Sequence, residues 1–175
     1  MQTISKFKDE YEFLHNYYPH AVQYEGIVYP TNEHAFQAAK TLDIRTRKEI
    51  ASCETPGKAK EMGNHIPLRS DWESVKTGVM RDLCRLKFSD PTLRRRLLST
   101  EGCYLIEGNH WGDTCWGMVN GRGENRLGKI LMDLRSEFLL ADKGKKSLDA
   151  IVQNAYSRVP VQEARHTGTS AYSRD

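Results

Sequence analysis

The chain has 175 residues and a mass of 20.1 kDa, the length of one domain with or without a tail, and its 26 Lys and Arg against 23 Asp and Glu leave a net charge of only +3. That excess is smaller than a dedicated duplex-DNA binder carries, whereas a phosphate-bearing small substrate or a single modified nucleotide fits it. No run reaches the roughly 20 apolar residues of a membrane span, the first residues lack a signal-peptide core, and four widely spaced cysteines without a C-x-x-C predict reduced thiols in a cytoplasmic protein.

Residues 4–16 are short and mixed, anchored by Phe7, Tyr11, Phe13 and Leu14. Residues 21–24 and 27–29 flank Glu25-Gly26, which predicts a strand pair closed by a tight turn. Pro30 breaks the second strand, and Thr31 and Asn32 both offer an N-cap for a helix over 33–42. Residues 45–52 read as a polar second helix, and Thr55-Pro56 opens a third that stops near Gly63. Ser70 and Glu73 have capping-box spacing, and Trp72, Val75, Val79, Leu83 and Leu86 recur at helical spacing, so a helix is predicted over 71–88. Asp90-Pro91 opens another, with Leu93, Leu97 and Leu98 apolar.

Tyr104-Leu105-Ile106 reads as a short buried strand. Residues 108–128 hold 6 of the 13 glycines and 2 of the 3 tryptophans, which predicts a long irregular loop of functional type. Asn125 is the expected N-cap of a helix over 126–140, whose apolar face is Leu127, Ile130, Leu131, Leu134 and Phe138. Lys143-Gly144-Lys145-Lys146 begins a polar section with a short amphipathic helix and a loose tail from His166. The predicted architecture is therefore α+β and predominantly helical with a small β-hairpin or sheet, as one domain over 1–140 and an extension over 141–175.

Two stretches carry chemistry. Glu33, Gln37 and Lys40 stand at i, i+4 and i+7 of a predicted helix and share a face. A carboxylate can serve as general acid or base, and an amine as phosphate ligand or imine-forming nucleophile. The same three residues also suit an ordinary solvated face, with Glu33 a first-turn acid favoured by the helix dipole. In the glycine-rich loop, Trp111 and Trp116 can stack on a base and Asp113 is a second candidate acid or base. The loop has neither a Walker A nor a G-x-G-x-x-G pattern, and it equally suits a flexible segment whose tryptophans plug the core. The six histidines and four cysteines show no metal-ligand spacing, so no metal and no cofactor is expected. Arg81, Arg85, Lys87 and Arg94-Arg95-Arg96 read mainly as a solvated face paired with acids.

Taken in order, Leu14-His-Asn16-Tyr17, Pro30-Thr-Asn-Glu33-His34-Ala-Phe36-Gln37-Ala-Ala-Lys40, Trp72-Glu-Ser-Val-Lys76, Lys87-Phe88, Asp113-x-x-Trp116-Gly117 and Gly123-x-Asn125-x-Leu127-Gly128 resemble the NADAR (YbiA-like) family. The likeness runs from about Leu14 to Leu140. It implies a mostly helical α+β N-glycosidase that cleaves the bond between a ribose anomeric carbon and an exocyclic amine. The implied substrates are guanine carrying ADP-ribose, as in single-stranded nucleic acid, or ribosylamino-pyrimidine phosphates of riboflavin synthesis. The resemblance assigns Glu33, Lys40 and Asp113 to catalysis. It assigns Asn16, His34, Gln37, Trp72, Trp116, Gly117 and Asn125 to substrate binding, with Trp72 equally suited to the core. This chain departs from the family pattern in having His15 and Tyr17 around Asn16, and a second Trp-Gly pair at Trp111-Gly112. A module that binds ADP-ribose without catalysis, or a nucleic-acid adaptor using the 81–96 basic stretch, are the alternatives from other classes.

Overall fold

The computed structural model describes residues 2–157, with side chains through Ile151. The chain divides into two compact units between Leu139 and Leu140, and the first holds all the described elements before the final helix.

Strand β1 (Gln2–Ile4) precedes a 3₁₀ helix (Asp9–Leu14), and β2 (Val22–Tyr24) and β3 (Ile27–Tyr29) form the expected hairpin. Val22 pairs with Tyr29 and Tyr24 with Ile27, and both turn residues, Glu25 and Gly26, take positive φ of 46° and 80°. That is the turn geometry whose twist matches the flanking strands. Sequence reasoning missed β1. It pairs in parallel with β4 (Cys103–Leu105), Ile4 opposite Leu105, and only Ile4 of its three residues is buried. Gln2 and Thr3 give no apolar alternation to read. The pairing ties the beginning of the chain to the segment that enters the glycine-rich loop.

Five helices pack around that frame. They are α1 (Asn32–Ala38), α2 (Ile44–Ala51), α3 (Pro56–Gly63), α4 (Trp72–Lys87) and α5 (Pro91–Leu98). Of the two caps offered to α1 the structure uses Thr31, whose hydroxyl accepts the His34 N–H. Asp43, Thr55 and Asp90 cap α2, α3 and α5, each satisfying N–H groups of a first turn. α1 is shorter than the predicted 33–42. The Lys40 and Thr41 N–H groups bond back three residues, to Gln37 and Ala38, so the chain tightens into a turn that ends the helix. All seven α1 residues are buried, which makes this short helix the centre of the domain.

Two details of α4 differ from expectation. The capping box does not form. Asp71 occupies the cap position without a side-chain bond to the helix, its carboxylate being held by the Arg69 guanidinium, while Glu73 turns outward to Lys76. At the far end Leu86 is 39% exposed and Lys87 takes its place in the core at 1%. Val79, Met80, Leu83 and Cys84 from α4 join Leu127, Leu131 and Leu134 in one apolar cluster with Phe36 and Ala38. Those three leucines belong to α6, a helix assigned over Arg126–Ser157. The backbone stays helical across 143–146, where a separate polar section was expected, because lysine is a good helix former and a lone Gly144 costs only about 1 kcal/mol. Described by itself, the part of α6 beyond Leu139 exposes Leu140, Leu148 and Ile151. The tail expected from His166 lies outside the described residues. No described helix is long and apolar enough to cross a membrane.

Apart from the buried Lys87, the basic stretch is a partly solvated face whose arginines are held by acids, rings and carbonyls. Arg81 and Arg85 both pair with Glu137, Arg94 lies over the Phe138 ring, and Arg96 lies over Phe13 and donates to the Glu10 carbonyl.

Candidate active site

A cavity of about 1090 Å³ lies between the α1 region and the glycine-rich loop. On one side is Glu33, in the first turn of α1 and 6% exposed. Its Oε1 accepts a bond from Gln37 Nε2 at 2.7 Å, as the i, i+4 spacing predicts. Burial pushes the Glu33 carboxyl above the usual carboxylate range; the Gln37 bond and the charges of Lys60, His15 and Lys40 oppose that only in part.

Lys40 stands in the turn after α1, not on the helix itself. Its Nζ reaches α3, donating to the Gly63 carbonyl at 3.1 Å and to Asn64 Oδ1 at 3.4 Å. Burial lowers the Lys40 pKa and Lys60 acts in the same sense, with Glu33 opposing. A lysine so placed is biased toward the neutral amine, the form that is nucleophilic. α3 comes this close to α1 because position 63 has no side chain. A Cβ there would stand 2.2 Å from Gln37 Oε1.

The loop supplies the other side. Asp113 Oδ1 accepts the backbone N–H groups of Cys115 and Trp116 at 3.0 and 2.9 Å, so one oxygen is committed to shaping the loop. Trp116 meets Phe36 edge-on at 5.2 Å and Phe36 meets Trp72 at 5.1 Å, forming an aromatic row whose three members all line the cavity. Trp72 thus belongs to both core and wall. Asn16 lines the cavity too, donating from Nδ2 to Met80 Sδ.

The cavity gathers Asn16, Glu33, Gln37, Lys40, Trp72, Asp113 and Trp116 of the expected set, whereas His34, Gly117 and Asn125 do not line it. His34 is 1% exposed and its ring bridges Thr31 Oγ1 and the Cys53 carbonyl, so it locks the α1 cap to the end of α2. Burial lowers its pKa, in keeping with a neutral ring. Asn125 does not cap α6 through its side chain, as the sequence suggested. Its Oδ1 accepts the Glu107 N–H at 3.0 Å and its Nδ2 donates to the Leu105 carbonyl at 2.8 Å. Gly117 is required where the chain passes Glu107, since a Cβ would stand 2.2 Å from the Glu107 carbonyl oxygen. Both residues hold Glu107.

Glu107 itself, a cavity residue 6% exposed, was missed. So were His15, whose Nε2 lies 3.2 Å from Glu107 Oε1, and Lys60 and Tyr17, which also line the cavity. The one available signal for Glu107 was a carboxylate set directly after an apolar strand and before a glycine. Lys87 is the buried residue behind them. Its Nζ donates to the His15 carbonyl at 2.8 Å beneath the Tyr18 ring, and burial brings its pKa down to about 7.

Comparison with known proteins gives this site a class. The chain is 41% identical over 145 residues to N-glycosidase YbiA of Shigella flexneri serotype 5b, a match covering 79% of this chain and 90% of that one. It is 35% identical over 133 residues to a riboflavin biosynthesis protein of Vibrio vulnificus, which covers 74% of this chain and 36% of that longer one. The NMR structure of the Escherichia coli protein YbiA matches with a TM-score of 0.71 at 39% identity, covering 81% of this chain and 89% of the other. The protein is an enzyme of the N-glycosidase class, built on the helical α+β fold of these relatives. The NADAR domain model matches residues 2–139, and the chain belongs to the NADAR family.

Proposed function

We propose that the enzyme hydrolyses the C–N bond between a phosphorylated ribose and the exocyclic amine of a guanine-like ring, releasing ADP-ribose from guanine in nucleic acid. The observation that carries this reading is the pairing, on one cavity, of a buried Glu33 carboxyl with a raised pKa and a Lys40 amine with a lowered one. Environments that push two titratable groups toward their neutral forms supply an acid and a nucleophile at the same pH. The volume adds support: about 1090 Å³ is at the upper end for small-molecule sites and suits a ligand larger than a mononucleotide.

In the proposed route the Lys40 amine adds to the anomeric carbon while Glu33 gives its proton to the departing amine. The Lys40 nitrogen then returns a proton to Glu33, which passes it to the ring oxygen as the C1–O4 bond breaks, leaving the open-chain sugar joined to Lys40 as a protonated imine. Water hydrolyses the lysine–sugar imine, which frees the sugar and restores both groups. The two bonds donated by Lys40 Nζ leave the lone pair of the neutral amine available. Asp113, through its second oxygen, binds sugar hydroxyls, Asn16 gives the substrate an orienting hydrogen bond, Gln37 orients Glu33, and Trp116 and Trp72 wall the base. The domain over 1–140 carries this activity.

A second substrate class, the ribosylamino-pyrimidine phosphates, is favoured by the relative named as a riboflavin biosynthesis protein. The test is one assay with two arms: purified protein with an ADP-ribosylated guanine oligonucleotide, and with a ribosylamino-pyrimidine phosphate. Release of ADP-ribose in the first arm is the expected result. Turnover confined to the second arm selects the other substrate, and binding of ADP-ribose with turnover in neither arm overturns the catalytic reading.

A further inference from the structure

Among the described residues, four buried side-chain oxygens have no hydrogen-bond partner: Asn16 Oδ1, Asn32 Oδ1, Gln37 Oε1 and Glu107 Oε2. All but Asn32 belong to residues lining the same cavity. Gln37 Oε1 is pressed against Gly63 and shut in by α3. Asn16 and Glu107 remain. A buried acceptor without a donor is a standing cost, greater when the group is ionisable, and native proteins leave few of them.

The fold holds this costly arrangement in place from several directions. Asn125 Oδ1 accepts the Glu107 N–H, the Glu107 carbonyl accepts the Met118 N–H at 2.9 Å, and Gly117 clears the space beside it. His15 fixes the side chain. Its Nδ1 accepts the Tyr17 N–H at 3.0 Å, so the proton of the neutral ring sits on Nε2 and is donated to Glu107 Oε1 at 3.2 Å. Lys87 Nζ secures the His15 carbonyl from behind. One carboxylate oxygen is thereby occupied, and the other is left over beside a ligand-sized space.

We propose that Glu107 is a substrate-binding carboxylate which, with Asn16, accepts a vicinal pair of hydrogen-bond donors on the ligand. The proposal rests on the N-glycosidase reading above, because the substrate named there carries such pairs of two kinds: the ribose hydroxyls, and the adjacent ring N–H and amino group of a guanine-like base. The two carboxylates then divide the work, Glu33 moving a proton and Glu107 holding the substrate.

Calorimetric titration of the wild type and Glu107→Gln separates the two donor sources. Ribose 5-phosphate offers only hydroxyls, and isocytosine only the ring N–H and amino pair. The expected result is that the wild type binds one probe and that Glu107→Gln weakens it about tenfold or more. The probe that weakens identifies the donor pair. Neither probe binding the wild type at millimolar concentration, or both affinities staying within about twofold in Glu107→Gln, overturns the proposal. A readout that needs no variant accompanies it: in the wild type, the bound probe must shift the NMR signals of the Asn16 side-chain amide and the His15 ring, and unmoved signals overturn the proposal. Hydrolysis by the wild type without these effects would remove the role of Glu107 and leave the glycosidase reading standing. Probes bound through Glu107 with no hydrolysis of either substrate class would do the reverse.

Discussion

On the α1 side of the cavity, Glu33 and Gln37 lie one helical turn apart and bond to each other, and the helix alone sets that geometry. On the loop side no regular element places anything. Asp113 is positioned by two backbone N–H groups, and Glu107 by Asn125, Met118, His15 and a missing side chain at Gly117. The first wall is made by periodicity and tuned by burial. The second is made by a hydrogen-bond network drawn from distant parts of the chain. A change on the helix side should therefore act on chemistry with little effect on folding, whereas a change behind the loop should act on folding and binding together.

The largest expected effect tests the helix side. Glu33→Gln should lower turnover about 10³-fold, within the range for loss of a general acid. Stability should move the other way. The folded carboxyl has a raised pKa, so the unfolded chain ionises first as pH rises from 4.5, and wild-type stability drains up to the folded value. The glutamine variant carries no such drain and should melt higher at neutral pH. A variant that is both inactive and less stable would break the division between the walls. Lys40→Ala should cost on the order of 10²-fold or more in turnover, and Lys40→Arg should not restore it, because a guanidinium cannot form the imine. Borohydride trapping of a sugar adduct in the wild type, absent from both variants, checks the same step. Unchanged turnover in a folded Lys40→Ala enzyme would leave Lys40 as no more than the tie to α3.

The asymmetry also explains what could be read from the sequence. Thr31, Glu33 and Gln37 were legible because cap chemistry and a 3.6-residue period are local signals. The hairpin and the proline-led helices were legible for the same reason. β1 was not, since it pairs with residues about 100 positions away and only Ile4 faces the core. Glu107 was not, since everything that holds it comes from elsewhere in the chain. Gly117 and Asn125 were legible as motif letters, but a motif does not say whether a residue touches the ligand or supports one that does. Lys87 did leave a trace. It lies four residues after Leu83 and seven after Met80, on the apolar stripe of α4, a place where lysine is an anomaly.

Gly117→Ala tests the support behind the loop. The added Cβ, rigid on its backbone, meets the Glu107 backbone carbonyl oxygen at 2.2 Å, so the chain on one side has to move. A cost of about 2 kcal/mol and a melting point lower by roughly 6 °C are expected, with weaker substrate binding as Glu107 is displaced. A raised KM with an unchanged melting point would instead make Gly117 a direct backbone contact to substrate and erase the contrast between the walls.

The last expected effect lies deepest, at Lys87. Burial holds its folded pKa at about 7 against 10.5 for the unconstrained group, so the charged form is the disfavoured one. Below pH 7 the amine is protonated in both folded and unfolded chains, and the penalty is constant. Between about 7 and 10.5 the unfolded chain binds the extra proton, so folding stability rises with pH, by at most about 1.4 kcal/mol per unit, and levels off above that window. Urea unfolding of the wild type and Lys87→Met at pH 7 and pH 9 reads this directly. Methionine preserves the stem but not the bond to the His15 carbonyl, so its absolute stability combines two opposed effects, whereas its pH slope isolates one. The wild type should gain on the variant as pH rises. A parallel course for the two proteins would mean that the ammonium finds enough solvation around His15 to stay charged. The loop side would then be anchored by an ion rather than by a neutral donor.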